Sequence, residues 1–149
     1  AGCFWGVEER FRTQPGVLST AVGFMGGTKE QPTYEEVCEG NTGHAEVVQI
    51  VFDPSRISYK ALLDLFWTSH NPTTLNRQGP DWGEQYRSVI FFHTPEQQTI
   101  AQESLKTVQA ARHDEQKIVT QIVPASTCFR AEEYHQQNLQ KRGTDACHL

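Results

Sequence analysis

At 149 residues the chain has the size of one domain, and its 37% hydrophobic content is enough for an ordinary core. A net charge of −5 with no basic run argues against nucleic acid and an anionic membrane surface as partners. No apolar run approaches a membrane span, and no charged n-region with an apolar h-region marks a signal peptide.

Four cysteines occur, Cys3, Cys38, Cys128 and Cys147. They form no C-x-x-C pair, and their wide spacing is a poor disulfide framework. Cys147-His148 is the one close Cys/His pairing, so the sequence gives no zinc-site pattern and no metal is expected.

In chain order, Gly2-Cys3-Phe4-Trp5-Gly6 opens a helix whose stripe is Phe4, Val7 and Phe11, with Glu8, Glu9, Arg10 and Arg12 on other faces. Pro15-Gly16 stops it. Val17 to Phe24 reads as a strand ending in the Gly26-Gly27 turn. Pro32 to Glu39 reads as a short helix closed by Gly40, and Ala45 to Phe52 as a strand ended by Asp53-Pro54. Ser58 caps a helix running to about Ser69.

Asn71 to Gln85 has no periodicity, and a loop of that length in a compact domain is usually functional or disordered. Arg87 to His93 is a strand. Thr94-Pro95-Glu96-Gln97 is a capping box that opens a helix to about Arg112. Ile118 to Val123 is a strand, and Ala131 to Lys141 reads as a helix with Gly143 just past its end. The last residues, about 143–149, read as a mobile tail. The pattern predicts a single α+β domain over 1–149, with helices packed on a mainly antiparallel sheet.

Cys3 falls at the helix start, where unpaired N–H groups and the helix dipole favour a thiolate, the reactive form of a thiol. Its other reading is a small buried hydrophobe. Glu46, at the head of an apolar strand, becomes a proton donor if it is desolvated; alternation alone places it off the Val47 face, as an outward residue. Asp81 and Tyr86, in the long loop and its exit, could bind a polar oxygen or a water, or could serve only the loop. Tyr34 follows the glycine turn. Trp5 sits about 100° off the Phe4 stripe and suits a pocket wall. His135 reads as a surface or satisfied histidine. Cys147, near a flexible end, is suited to swing onto a reactive thiol.

Taken together these fragments resemble the A-type peptide methionine sulfoxide reductases. The similarity runs over nearly the whole chain. It rests on Gly-Cys-Phe-Trp-Gly at 2–6, Gly-Phe-Met-Gly-Gly at 23–27, Tyr34-Glu35-Glu36-Val37-Cys38, and Gly43-His44-Ala45-Glu46. It continues through Arg77-Gln78-Gly79, Asp81, Gln85-Tyr86-Arg87-Ser88, and Ala131-Glu132-Glu133-Tyr134-His135-Gln136-Gln137.

The resemblance implies a two-layer, ferredoxin-like α+β sandwich with a coiled C-terminal tail. It implies reduction of methionine-S-sulfoxide, free or in peptides and oxidised proteins, to methionine. Cys3 would attack the sulfoxide sulfur, and Phe4 and Trp5 would form the apolar wall for the methyl group. Glu46 would protonate the oxygen, Tyr34 and Tyr86 would hydrogen-bond it, and Asp81 would order a water. Cys147, twelve residues after His135, would resolve the sulfenic acid, with Cys128 the alternative. Thioredoxin would reduce the resulting disulfide. No metal or organic cofactor is needed, and a monomer in a reducing, cytoplasmic compartment is expected. Two departures stand out. The chain ends two residues after Cys147, where many relatives carry a further cysteine in a glycine-rich tail, and Cys128 stands where relatives commonly have an apolar residue. A cysteine hydrolase and a redox-sensing module are the competing readings; the sensor would not need Glu46.

Overall fold

The computed structural model describes residues 1–112 and 116–142. Helix α1 (Phe4–Arg12) starts from Cys3, which holds the extended N-cap conformation. Its stripe of Phe4, Val7 and Phe11 is buried as the spacing predicts, but Glu8 is buried with it, contrary to the outward face read for it. Residues 4, 8 and 11 share one helix face, so Glu8 was a charge inside the apolar stripe.

Strand β1 (Val17–Met25) turns through Gly26-Gly27 toward α2 (Tyr34–Glu39), which a Thr33–Glu36 capping box opens. A Cβ on Gly27 would collide with the Thr42 carbonyl oxygen, so this turn needs glycine. Strand β2 (Ala45–Phe52) pairs antiparallel with β1, and Phe24 lies opposite Glu46. Helix α3 (Tyr59–Thr68) is capped by Ser58, as expected.

The aperiodic loop contains a small hairpin, β3 (Arg77–Gln78) with β4 (Asp81–Trp82), and a 3₁₀ turn over Glu84–Tyr86. Strand β5 (Val89–Phe92) leads into α4 (Pro95–Ala111) and then β6 (Gln121–Pro124), which pairs parallel with β5. A parallel pair needs a crossover, and the long helix α4 supplies it. The box at Thr94 is half of the expected one. Thr94 accepts from the Gln97 N–H, but the Gln97 side chain reaches His93 instead.

Strand β7 (Phe129–Arg130) completes an antiparallel β2-β1-β7 sheet, and α1 lies on β1 and β2. This is the α+β sandwich the sequence predicts, mainly antiparallel with one parallel pair added.

The predicted helix over Ala131–Lys141 is corrected. Ala131 and Glu132 are non-helical, Glu133–His135 is a single 3₁₀ turn, and α5 covers only Asn138–Arg142. Side chains that a surface helix would leave in water are used inward. Gln136 brackets Val22, accepting its N–H and donating to its carbonyl at 2.9 Å each. Gln137, at φ 47°, gives its backbone N–H to Glu8 at 2.7 Å. This buried strap ties the chain back to α1 and β1. The reading of 143–149 as a mobile tail falls outside the described residues. Among the described residues no helix is long and apolar enough to cross a membrane.

Candidate active site

The site is assembled at the N-terminus of α1. Glu46 is 4% exposed because the head of β2 is covered by the start of α1. Its Oε1 accepts the N–H of Phe4 at 3.1 Å, filling one of the unmet donors of the helix end next to Cys3. Oε2 is buried and has no hydrogen-bond partner among the described residues. The space beside Glu46 is an apolar cavity of about 230 Å³, with Phe4, Met25, Val48 and Phe91 among its walls.

Burial pushes the Glu46 carboxyl up to about 8. The Phe4 N–H opposes this, and Asp81 adds to it. Glu46 therefore carries its proton at neutral pH. The outward placement suggested by strand alternation is overturned.

Tyr34, from α2, and Tyr86, from the 3₁₀ turn, converge on this carboxyl. Burial raises both phenols above their ordinary range, and Glu46 acts on both. Both stay protonated and can donate across the neutral range. Cys38, Asp81 and Cys3 also act on Tyr86, so the structure brings Cys3, Glu46, Tyr34, Tyr86 and Asp81 together. Cys128 is not in that set. It is half-buried, close to where a Cβ on Gly23 of β1 would stand, and burial raises its thiol. Cys147 falls outside the described residues.

Phe4 is buried and stacks with Tyr34 at 6.2 Å between centroids. Trp5 is half-buried, and its indole Nε1–H donates to His135 Nδ1 at 2.8 Å. His135 is fully buried, so the surface alternative is excluded; Nδ1 is satisfied by Trp5, while Nε2 makes no aligned hydrogen bond among the described residues. Because Nδ1 accepts, the neutral ring carries its proton on Nε2, 3.3 Å from Glu132 Oε2. Burial is the main cause that lowers His135, which favours that neutral form. Glu132 also takes the N–H of Tyr34, at 3.1 Å, through Oε1. One chain of contacts thus runs from Trp5 through His135 and Glu132 to the first residue of α2.

Two further histidines have structural roles that sequence reasoning did not assign: His44, read there within Gly43-His44-Ala45-Glu46, and His70. His44 accepts from Gly27 N–H at 3.0 Å and donates to the Lys29 carbonyl at 2.6 Å, locking the glycine turn against β2. His70 is held near 3, mainly by burial, and is neutral. It donates from Nδ1 to the Phe66 carbonyl and accepts from Ser88 Oγ, two residues after Tyr86. Neither has an apolar periodicity that could have announced it.

Among the described residues no group of three His, Cys, Asp or Glu is placed to hold a metal ion. A thiol at a helix N-cap, beside a buried carboxyl that keeps its proton, is the equipment of a thiol-dependent oxidoreductase. The peptide methionine sulfoxide reductase family model matches residues 1–149. A peptide methionine sulfoxide reductase MsrA of Methanoculleus marisnigri is 63% identical over 147 residues, 99% of this chain and 90% of that one. The reduced form of Mxr1 from Saccharomyces cerevisiae superposes with a TM-score of 0.89 at 35% identity, covering 99% of this chain and 84% of that one. Methionine sulfoxide reductase A of Corynebacterium diphtheriae gives 0.86 at 38%, covering 98% and 74%.

The chain belongs to the A-type peptide methionine sulfoxide reductases. Its activity is that of a peptide-methionine (S)-S-oxide reductase, an oxidoreductase.

Proposed function

We propose that Cys3 is the nucleophile and Glu46 the acid of this reduction, on free as well as peptide-bound methionine-S-sulfoxide. A sulfoxide oxygen leaves poorly until it is protonated. The Cys3 thiolate attacks the sulfur while Glu46 gives its proton to the oxygen, and the hydroxyls of Tyr34 and Tyr86 hold that oxygen. Asp81 orders a water at the same place. Phe4 and Trp5 receive the methyl group.

Oxygen transfer releases methionine and leaves Cys3 as a sulfenic acid. Cys147 condenses with it to a disulfide, with Cys128 as the alternative thiol, and a thioredoxin-type dithiol reduces that bond by exchange. The chain acts as one catalytic domain, a cytoplasmic monomer, with the resolving cysteine in the segment after 142.

The observation that supports this most is the buried Glu46 carboxyl, up at about 8, bonded to the N–H of the residue after Cys3. The reading is tested by thiol counting with the two separate epimers of a methionine sulfoxide peptide. Consumption of the S epimer alone, with two thiols lost per methionine and turnover on adding dithiothreitol, is expected. Loss of two thiols to either epimer contradicts the pocket proposed here.

A further inference from the structure

His135 is fully buried beside the site and has no part in the chemistry proposed above. Its ring lies against residues assigned to the substrate, with centroids 5.3 Å from Phe4, 5.6 Å from Trp5 and 4.3 Å from Tyr34. With Trp5 the contact is also directional, since Nδ1 accepts the indole N–H at 2.8 Å. Trp5 is half-buried and stands off the buried stripe of α1, so packing surrounds only part of its ring. An indole turns about its side-chain torsions. A hydrogen bond at its Nε1 edge fixes the ring where packing alone leaves it room.

The histidine is itself held in place. Its N–H closes the 3₁₀ turn on the Glu132 carbonyl at 2.9 Å, and the Tyr134 ring lies on its own with centroids 3.8 Å apart. The next residue, Gln136, donates to the carbonyls of Val22 at 2.9 Å and Ala131 at 3.0 Å, and the Ala131 N–H bonds the Val22 carbonyl at 3.0 Å. Glu132 Oε2 stands 3.3 Å from Nε2. Even without an aligned hydrogen bond, a carboxylate there favours the proton on Nε2 and leaves Nδ1 as the acceptor that Trp5 needs. The anchors of His135 are on β1, whereas Trp5 belongs to α1. The bond between them ties one wall of the site to the sheet.

We infer that His135 is a positioning residue for substrate binding: by accepting the Trp5 N–H it holds the indole as a fixed wall for the methyl group of the sulfoxide. A wall already in place needs no ordering when the substrate arrives, so the substrate binds more tightly. His135 touches neither the sulfur nor the oxygen in the scheme above. Its effect therefore falls on binding and spares the chemical step. The inference rests on Phe4 and Trp5 receiving the methyl group.

The test is single-turnover methionine formation by the full chain over a range of methionine-S-sulfoxide concentrations, which separates half-saturation from the limiting rate. His135→Phe keeps a ring against Phe4 and Tyr34 but removes the acceptor, and His135→Leu stands in if that ring is not tolerated. His135→Asn puts a side-chain oxygen near the place of Nδ1 and serves as the rescue. Loss of one hydrogen bond should raise the half-saturating concentration about fivefold in His135→Phe, with the limiting rate unchanged. His135→Asn should return it toward the parent value. Trp5→Phe should raise it as well, and His135→Phe added to Trp5→Phe should raise it no further. A lower limiting rate at unchanged half-saturation, no rescue by asparagine, or an additive double variant marks a histidine that only packs, and overturns the inference. A rise in Trp5→Phe with none in His135→Phe overturns it while leaving the methyl wall intact. No rise in Trp5→Phe overturns the wall and the inference with it.

Discussion

Helix α1 touches two buried carboxyl groups, and they are used in opposite ways. Glu8 is 1% exposed and Glu46 is 4% exposed. Around Glu8, both oxygens are taken. Oε1 accepts Gln137 N–H at 2.7 Å, and Oε2 accepts Thr20 Oγ1 at 2.8 Å and Gln137 Nε2 at 2.9 Å. Around Glu46, one N–H at 3.1 Å serves Oε1, and Oε2 has no partner among the described residues. Equal burial therefore gives different chemistry. Donors on both oxygens make a clasp that holds the C-terminal strap to α1 and β1. A carboxyl short of donors keeps its proton and can deliver it. What separates structure from function here is the count of hydrogen bonds, not depth.

That contrast can be broken by substitution, and the largest effect belongs to the thiol both regions serve. Cys3→Ser should abolish sulfoxide reduction to the limit of a methionine-release assay while leaving the thermal midpoint within a few degrees. Glu46→Gln comes next. Losing a positioned acid should cost about 10²–10⁴-fold in kcat, read with the S epimer under steady-state conditions. Its stability effect should have the other sign. The folded Glu46 carboxyl lies above its ordinary value of 4.5, so the native state binds the extra proton between 4.5 and about 8. Stability from this group is then complete below 4.5 and falls as pH rises through about 8. Glutamine removes that loss, so urea titrations at pH 9 should find Glu46→Gln more stable than the parent, with the advantage shrinking toward pH 5.

Glu8→Ala should do the reverse. It strands the Gln137 donors and the Thr20 hydroxyl, costing on the order of 3 kcal/mol of folding stability, measurable by urea titration. The pH dependence of kcat in the surviving folded protein should keep its shape. The smallest effect is expected at Tyr86→Phe, which removes one neutral donor worth about 1 kcal/mol. Turnover should drop about fivefold, with its pH dependence unmoved.

Much of this was legible from the chain. The stripe Phe4, Val7 and Phe11, the strands around Val22 and Val48, and the caps at Ser58 and Thr94 are local patterns, and the structure keeps them. Cys3 at a helix start could be read from the glycines and the stripe alone. Glu46 could not. Alternation describes one strand, whereas its burial comes from α1 folding onto the head of β2. Glu8 could have been found, since it sits in the stripe at position 8, but a charge on an apolar face reads as an error until its partners are known. Gln136 and Gln137 lie more than 100 residues from Val22, Thr20 and Glu8 in sequence, so nothing local told the strap from a surface helix. The resemblance supplied roles that periodicity could not, and the burial around Glu46 gives one of those roles a physical cause.

The central claim is that Glu46 is protonated when the enzyme works. The most direct measurement is its titration in the intact enzyme, by the carboxyl stretch in difference infrared spectra, with Glu46→Gln to assign the band. A protonated carboxyl at pH 7 that ionises near 8, with activity falling over the same range, is the predicted result. A carboxylate already ionised at pH 7, titrating in the ordinary range near 4.5, would contradict the account.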